Sequence, residues 1–392
     1  MKPIGLLGVV LAVAANGADW PQWRGPERTG ISQETGWATT GLKESWTFEA
    51  GVGCSSVAVS GGRLFTMGNQ NNEDIVWCLD AATGKVRWQH AYPASLEPKM
   101  YEGGPNATPT VDGDRVYTLG KHGQLRCLTA ATGKVMWSKE LTKDFGGKIP
   151  SWGYAGSPLV LGQLLILDVG GPGAGTVALN KLTGQVVWKN GDDAASYGSV
   201  MPFRFQNRPH LASFTAAGLI VRDAADGREI ARHPWKTSYD VNAATPVIDG
   251  DKIFISSGYN RGCALLQLTP GGLVVVWENK KMRNHMNSCV LWQGHLYGFD
   301  DTALTCLEFA TGAVKWTQTG LGKGSLMLAD GKLIIQAEKG DVVIATATPT
   351  GYCELARVQA LSGRSWVVPV LASGRLYAKN NKGTVVCLDA RR

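Results

Sequence analysis

The chain has 392 residues, 44% of them hydrophobic and 18% charged, with 39 basic against 32 acidic side chains for a formal charge of +7. That much apolar material excludes a charged disordered chain, and 50 glycines exclude a long coiled coil. The basic excess is scattered, with no run that would track phosphates, so no nucleic-acid partner is expected.

The first residues, MKPIGLLGVVLAVAANGADW, carry one lysine, Lys2, and an apolar stretch from Ile4 to Ala15. Small residues suited to cleavage follow between Ala14 and Ala18. This is the form of a secretory signal over residues 1–18, too short for a membrane span of about 20 residues. No later segment is apolar enough to span a bilayer, and the first cysteine is Cys54, so no lipid-bearing cysteine follows the leader. The expectation is an exported monomer that does not span a membrane. It is periplasmic in a Gram-negative host and secreted or in the cell envelope otherwise.

After an N-terminal arm, residues 19–44, the chain repeats itself to its end. CLDAATGKVRW from Cys78, CLTAATGKVMW from Cys127, VALNKLTGQVVW from Val177 and CLEFATGAVKW from Cys306 each read as strand, Thr-Gly turn and strand ending in tryptophan. Weaker copies run over Val221–Trp235 and Leu266–Trp277. Ahead of most copies stands another hairpin, as in TPTVDGDRVYTLG from Thr108 and TPVIDGDKIFISSG from Thr245. Each unit therefore offers four strands. Tryptophans 46, 88, 137, 188, 235, 277 and 316 recur at 39 to 51 residues, one unit per interval. A seventh unit starts near Ser325 with a degenerate YCELARV hairpin, and the eighth, Pro369–Ala390, stops before its own turn and tryptophan. The segment ESWTF, Glu44–Phe48, has a tryptophan and no preceding hairpin. The pattern predicts an all-β, eight-bladed propeller of four-stranded antiparallel blades over residues 45–392, closed by this N-terminal strand completing the last blade.

The AxxxTGKxxW hairpins resemble the pyrroloquinoline-quinone-type repeat of quinoprotein-like propellers, and the match covers nearly everything from Trp46 to Ala390. DWPQWRGPERTGIS from Asp19 resembles the start of secreted bacterial propellers named by that repeat. Two kinds of relative imply different work. The propeller lipoprotein of the outer-membrane β-barrel assembly machinery implies a non-catalytic scaffold. Quinoprotein alcohol dehydrogenases imply an oxidoreductase with the quinone over the channel, a calcium ion, an aspartate base and a disulfide between adjacent cysteines. This chain has no adjacent cysteines and no recognisable set of calcium ligands.

Eight cysteines in an exported chain raise the question of disulfides, but Cys78, Cys127, Cys306 and Cys387 hold the same place in different units and are expected buried and unpaired. Cys54, Cys263, Cys289 and Cys353 stay open. No spacing marks a metal site. The run GGPGAG, Gly170–Gly175, leads into a strand rather than a helix and reads as a hairpin loop.

The stretches before the first strand of each blade face the central channel. From them Asn106, Trp152, Tyr154, Tyr197, Asn242, His285, Asn287, Lys323 and Trp366 are expected to converge on one mouth, with Asp240 and Arg261 nearby, as candidate ligand-binding residues. Asp300-Asp301 offers either a cation site or an inter-strand turn. No catalytic set can be assigned by spacing. The leading expectation is a non-catalytic propeller that binds a protein, peptide or other envelope ligand, or a small molecule, at the channel mouth. The alternative is a dehydrogenase of alcohols or sugars using pyrroloquinoline quinone with calcium, with Trp152, Trp366 or another mouth aromatic stacking on the cofactor and an aspartate such as Asp240 as base.

Overall fold

The computed structural model describes residues 18–391. The expected leader lies outside the described residues apart from Ala18. Eight antiparallel sheets form blades 1 to 8 over residues 58–93, 110–140, 159–190, 201–234, 247–279, 290–318, 325–359 and 370–389. Lys43–Glu49 pairs antiparallel with Thr384–Asp389, with Trp46 opposite Cys387, and is the outer strand of blade 8. The ring is thus closed by the two ends of the chain, as the missing strand predicted. Blade 7 departs from four strands: Ile31–Ser32 of the arm adds in parallel to its inner strand, Ile31 opposite Leu328.

Burial explains the sequence pattern. Third strands are covered on both faces by neighbouring blades, so Glu73–Asp80 is buried continuously from Asp74 to Leu79. Outer strands bury only alternate side chains; Val86–Pro93 turns Trp88 and Tyr92 inward. Cys78, Cys127, Cys306 and Cys387 are fully buried small side chains on these third strands, and all eight cysteines are free.

The repeated tryptophan joins one blade to the next. Trp88 Nε1 donates to Ala130 O at 3.0 Å, Trp137 to Lys181 O at 3.1 Å, Trp188 to Ala224 O at 3.2 Å and Trp277 to Phe309 O at 3.0 Å. Trp46 reaches Ala81 O at 3.3 Å across the chain closure. The turn glycine is the seat for the ring. Gly133 has φ +70, and a Cβ there would stand 2.5 Å from the Trp88 ring. The Thr-Gly pair is therefore both a turn and a socket.

Two blades break the rule. In blade 4 the strand register sets Val221 opposite Ala231, so Ala231 holds the tryptophan position. Trp235 lies past the end of that outer strand, is fully buried, and donates to Ser257 Oγ at 3.1 Å. The sequence reading that ended this repeat on Trp235 is corrected: spacing alone cannot tell a residue within the strand from one just beyond it. In blade 7 Ala356 stands opposite Ile344 in the same position. Trp37 of the arm is buried in the hydrophobic cluster that fills this seam.

At the channel, hydroxyls link neighbouring inner strands. Ser157 Oγ accepts from Thr108 N, Ser199 Oγ from Ser157 N and Ser288 Oγ from Thr245 N, at 2.8 to 2.9 Å. Ser325 and Ser56 Oγ donate to Val367 O and Val368 O.

The arm crosses the channel. Trp20 pairs with Val59 of blade 1, Pro21 O accepts from Val111 N of blade 2, and Glu34 caps the Ser373 and Gly374 amides of blade 8. Arg28 donates to Ser157 O and Pro158 O beside blade 3, while Arg24 donates to Cys289 O beside blade 6. Both guanidiniums are buried. Burial lowers Arg24 to about 10 and Arg28 to about 9, the nearby Arg24 charge adding to the effect on Arg28. Carbonyl dipoles, not carboxylates, carry most of their solvation.

Candidate functional site

Above the arm, the connections that lead into the inner strands enclose an axial cavity of about 350 Å³. Trp23 forms part of its lining and is fixed by Nε1 donating to Thr245 Oγ1 at 2.9 Å. A pocket of this size on the axis suits one side chain or a small molecule.

Of the candidates, Asn106, Trp152, Tyr197, His285, Asn287, Lys323 and Trp366 line the cavity. The other four do not. Tyr154 is buried in the core between blades 2 and 3 and donates to Val169 O at 2.8 Å. Asn242 is fully buried, donating to Thr215 O and Trp235 O and accepting from Ser257 Oγ. Arg261 stacks 3.4 Å over Trp235 and pairs with Glu278 at 2.7 Å. Asp240 is exposed outside the lining, 3.8 Å from Lys236. In each case a local partner claims the polar group, which a position before a blade does not reveal. Asp300 and Asp301 are taken by Arg283 at 2.6 Å and Lys323 at 3.1 Å.

Sequence reading missed Trp23, Lys99, Met100, Tyr101, Tyr259 and Met286, which also line the cavity. Lys99–Tyr101 lies in the long unpatterned stretch between blades 1 and 2, and a loop of that length was the signal that could have found it.

Aromatic rings form an arc along one side of the cavity and its rim. Trp152 packs on Tyr197 with centroids 6.1 Å apart and edge-on to Tyr239 at 6.0 Å; Tyr239 meets Tyr259 at 5.6 Å, and Tyr259 meets His285 edge-on at 4.7 Å. Tyr239 and Tyr259 adopt left-handed backbone, φ 63 and 51, as do their successors Asp240 and Asn260. Paired left-handed residues without glycine store strain, and here it holds rings at the rim.

The polar groups are already oriented. Asn106 Nδ2 donates to Trp152 O at 3.2 Å, and Asn287 Nδ2 donates to Trp366 O and Gly324 O at 3.1 Å. Their acyl oxygens remain as acceptors. Lys323 Nζ donates to His285 Nδ1 at 2.8 Å, which leaves the His285 proton on Nε2. Burial first, and then the Lys323 charge, lower the His285 pKa. The imidazole is therefore a neutral donor. No aspartate or glutamate lines the cavity, and among the described residues no three His, Cys, Asp or Glu side chains cluster as a metal site.

The family profile described as Outer membrane protein assembly factor BamB matches residues 74–318. The chain belongs to this family. No curated protein sequence matches it significantly. Among solved structures, BamB from Moraxella catarrhalis is 15% identical with a TM-score of 0.62, over 89% of this chain and 97% of that one. The quinohemoprotein alcohol dehydrogenase ADHIIG from Pseudomonas putida HK5 is 12% identical with a TM-score of 0.66, over 95% and 80%. The computationally designed Ika8 protein is 11% identical with a TM-score of 0.63, over 90% and 99%. At these identities the likeness concerns fold alone, and it extends to a computationally designed protein. Function has to be argued from the pocket.

Proposed function

We propose that this chain is a non-catalytic propeller of the cell envelope that binds an apolar polypeptide segment of a protein partner, with one side chain anchored in the axial pocket. The observation that carries this is the lining: aromatic rings, Met100 and Met286 around two fixed amides, with no carboxylate. Methionine and aromatic surface adapts to varied apolar side chains. The acyl oxygens of Asn106 and Asn287 suit the N–H groups of an extended peptide. Met100 is 89% exposed and Tyr239 69%, an apolar rim for residues flanking the anchor. Membership of an envelope-assembly family agrees with a polypeptide partner.

The lining does not fit a quinone held by calcium. A hard divalent cation needs several oxygen ligands, carboxylates among them, and the lining holds no carboxylate. Asp240, the expected base, stands outside the lining. Acids beside the lining are engaged: Glu102 with Arg364 and Asn381, Glu338 with Trp366 Nε1 and the Lys323 amide, and Asp301 with Lys323 Nζ.

The test is calorimetric titration with unstructured peptides carrying Trp, Phe or Leu in a Ser/Gly background, against Ser/Gly peptides alone. Apolar peptides should bind with Kd of roughly micromolar order, and Trp152→Ala should weaken them about tenfold or more. Equal binding of both peptide classes, or no effect of Trp152→Ala and Trp366→Ala, sinks the reading. Binding of pyrroloquinoline quinone with calcium and turnover of an alcohol would install the dehydrogenase in its place.

A further inference from the structure

Beneath the loop 94–104, which brings Lys99, Met100 and Tyr101 to the pocket, the seam between blades 1 and 2 holds a knot of buried oxygens. Asp74 is 1% exposed; its Oδ1 accepts from Asn69 Nδ2 at 2.8 Å, while its Oδ2 has no side-chain donor. Tyr92 OH and Gln124 Oε1 are buried and unpartnered. The three surround one point: a Cβ on Gly120 would lie 2.6 Å from Gln124 Oε1, 2.7 Å from Tyr92 OH and 3.3 Å from Asp74 Oδ2. An ionised carboxylate and an amide oxygen only accept, and the phenol has a single proton. With the Gln124 amide oxygen turned inward, one donor cannot serve two acceptors, and leaving a buried acceptor unpaired is costly.

We propose that Asp74 carries a proton in the folded protein, donated across the seam toward Gln124 and Tyr92, and that this proton latches the loop 94–104 over the axial pocket. The groups that hold the loop are Asp74's own neighbours. Asn69 Nδ2 also donates to Ala94 O at 2.9 Å, and Lys121 Nζ donates to Leu96 O and Glu97 O at 3.1 and 2.8 Å. His122 Nε2 sits 3.0 Å from Ser95 O. An ionised Asp74 competes with these carbonyls for the Lys121 ammonium. Losing the proton therefore loosens the loop.

Burial raises the Asp74 carboxyl from 3.8 to about 6, against the Asn69 hydrogen bond, the His122 and Lys121 charges and the Lys121 main chain. The other charged and titratable groups around the knot belong to pairs or to the loop, except His90, whose Nε2 is buried without a partner. Arg126 lies 5.0 Å over the Tyr92 ring and pairs with Glu140, and Glu97 reaches Lys121 and His122. His90 packs on Tyr92, and Tyr101 is on the loop itself. Because the folded pKa exceeds the unfolded one, the proton's contribution is complete below about pH 4 and is lost as pH rises through about 6.

That the latch regulates peptide binding rests on the function proposed above; the latch itself does not, and its test uses no ligand. Hydrogen exchange of residues 94–104 is followed in the full chain from about pH 5 to 8, corrected for intrinsic rates. Protection should fall roughly fivefold or more with a midpoint near 6. Asp74→Asn, whose amide donates at every pH, should hold the low-pH protection throughout. Flat protection in the wild type, or a D74N chain that keeps the wild-type pH dependence, overturns the latch. If D74N fails to fold, carbon-13 titration of the wild-type Asp74 carboxyl decides: a midpoint near 6 supports the proposal, and one in the ordinary carboxylate range overturns it. Peptides that fail to bind at any pH would remove the functional reading and leave these results standing.

Discussion

The periphery and the axis of this ring are built by opposite rules. At the periphery one device recurs: a tryptophan from each of several blades sits on the turn glycine of the next and donates to a main-chain carbonyl there. On the axis only the hydroxyl links between inner strands recur. Eight connections of different length and composition meet there, strained backbone included. Repetition buries apolar surface and fixes the architecture; departure from repetition is where a ligand can be distinguished.

The largest way to break this contrast is to remove what belongs to both regions. Residues 19–48 supply the outer strand of blade 8, the extra strand of blade 7 and the segment across the channel. A chain starting after Phe48 has an open blade edge and an open channel floor. It should lose cooperative thermal unfolding altogether, and an unchanged transition by calorimetry would show that the ring holds without closure.

Next come the latches. Trp88→Ala removes a buried ring and its hydrogen bond and should cost about 3–5 kcal/mol by denaturant unfolding. Gly133→Ala attacks the socket instead, with φ +70 and a Cβ 2.5 Å from the same ring, and should cost about 1–3 kcal/mol. The two effects should overlap rather than add, because both act on one contact. Full additivity would mean that the glycine serves only its own turn.

A smaller effect comes from the seam between blades 8 and 1. Lys379 is buried, donating to Ser55 O at 3.0 Å and Met67 O at 2.6 Å, and burial lowers it from 10.5 to about 7. The unfolded chain keeps that proton to higher pH, so this group should make stability rise as pH goes from about 7 toward 10. Urea midpoints across that range measure it, and Lys379→Met should flatten the rise. The same slope in the variant would assign it elsewhere.

How much of this was legible follows the same division. The Thr-Gly–Trp hairpins, the eight blades and the closing strand can be read from Trp46, Cys78–Trp88 and Cys387, because a periodic contact leaves a periodic trace. Seven candidates were traced to the cavity by their place before an inner strand. Tyr154 and Asn242 hold the same kind of place but point into the blade core, since side chains alternate and one residue's shift reverses the direction. Trp23 and the channel-spanning role of Arg24 and Arg28 left no trace, because their partners are carbonyls scattered over distant blades.

The smallest effect on stability is expected where the axis is most unusual. Tyr239 is 69% exposed at φ 63, a conformation that costs a non-glycine residue about 1–2 kcal/mol. It recovers part of that through its edge-on contacts with Trp152 and Tyr259, which are worth about 0.5–1.5 kcal/mol each. Tyr239→Asn puts a residue tolerant of that backbone in its place and gives up the rings. The two changes nearly cancel, so the denaturation midpoint should stay within about 1 kcal/mol of wild type. Apolar-peptide affinity should fall severalfold over the same substitution. A clear loss of stability with affinity intact would make the aromatic arc a structural brace, and the axis would then follow the periphery's rule.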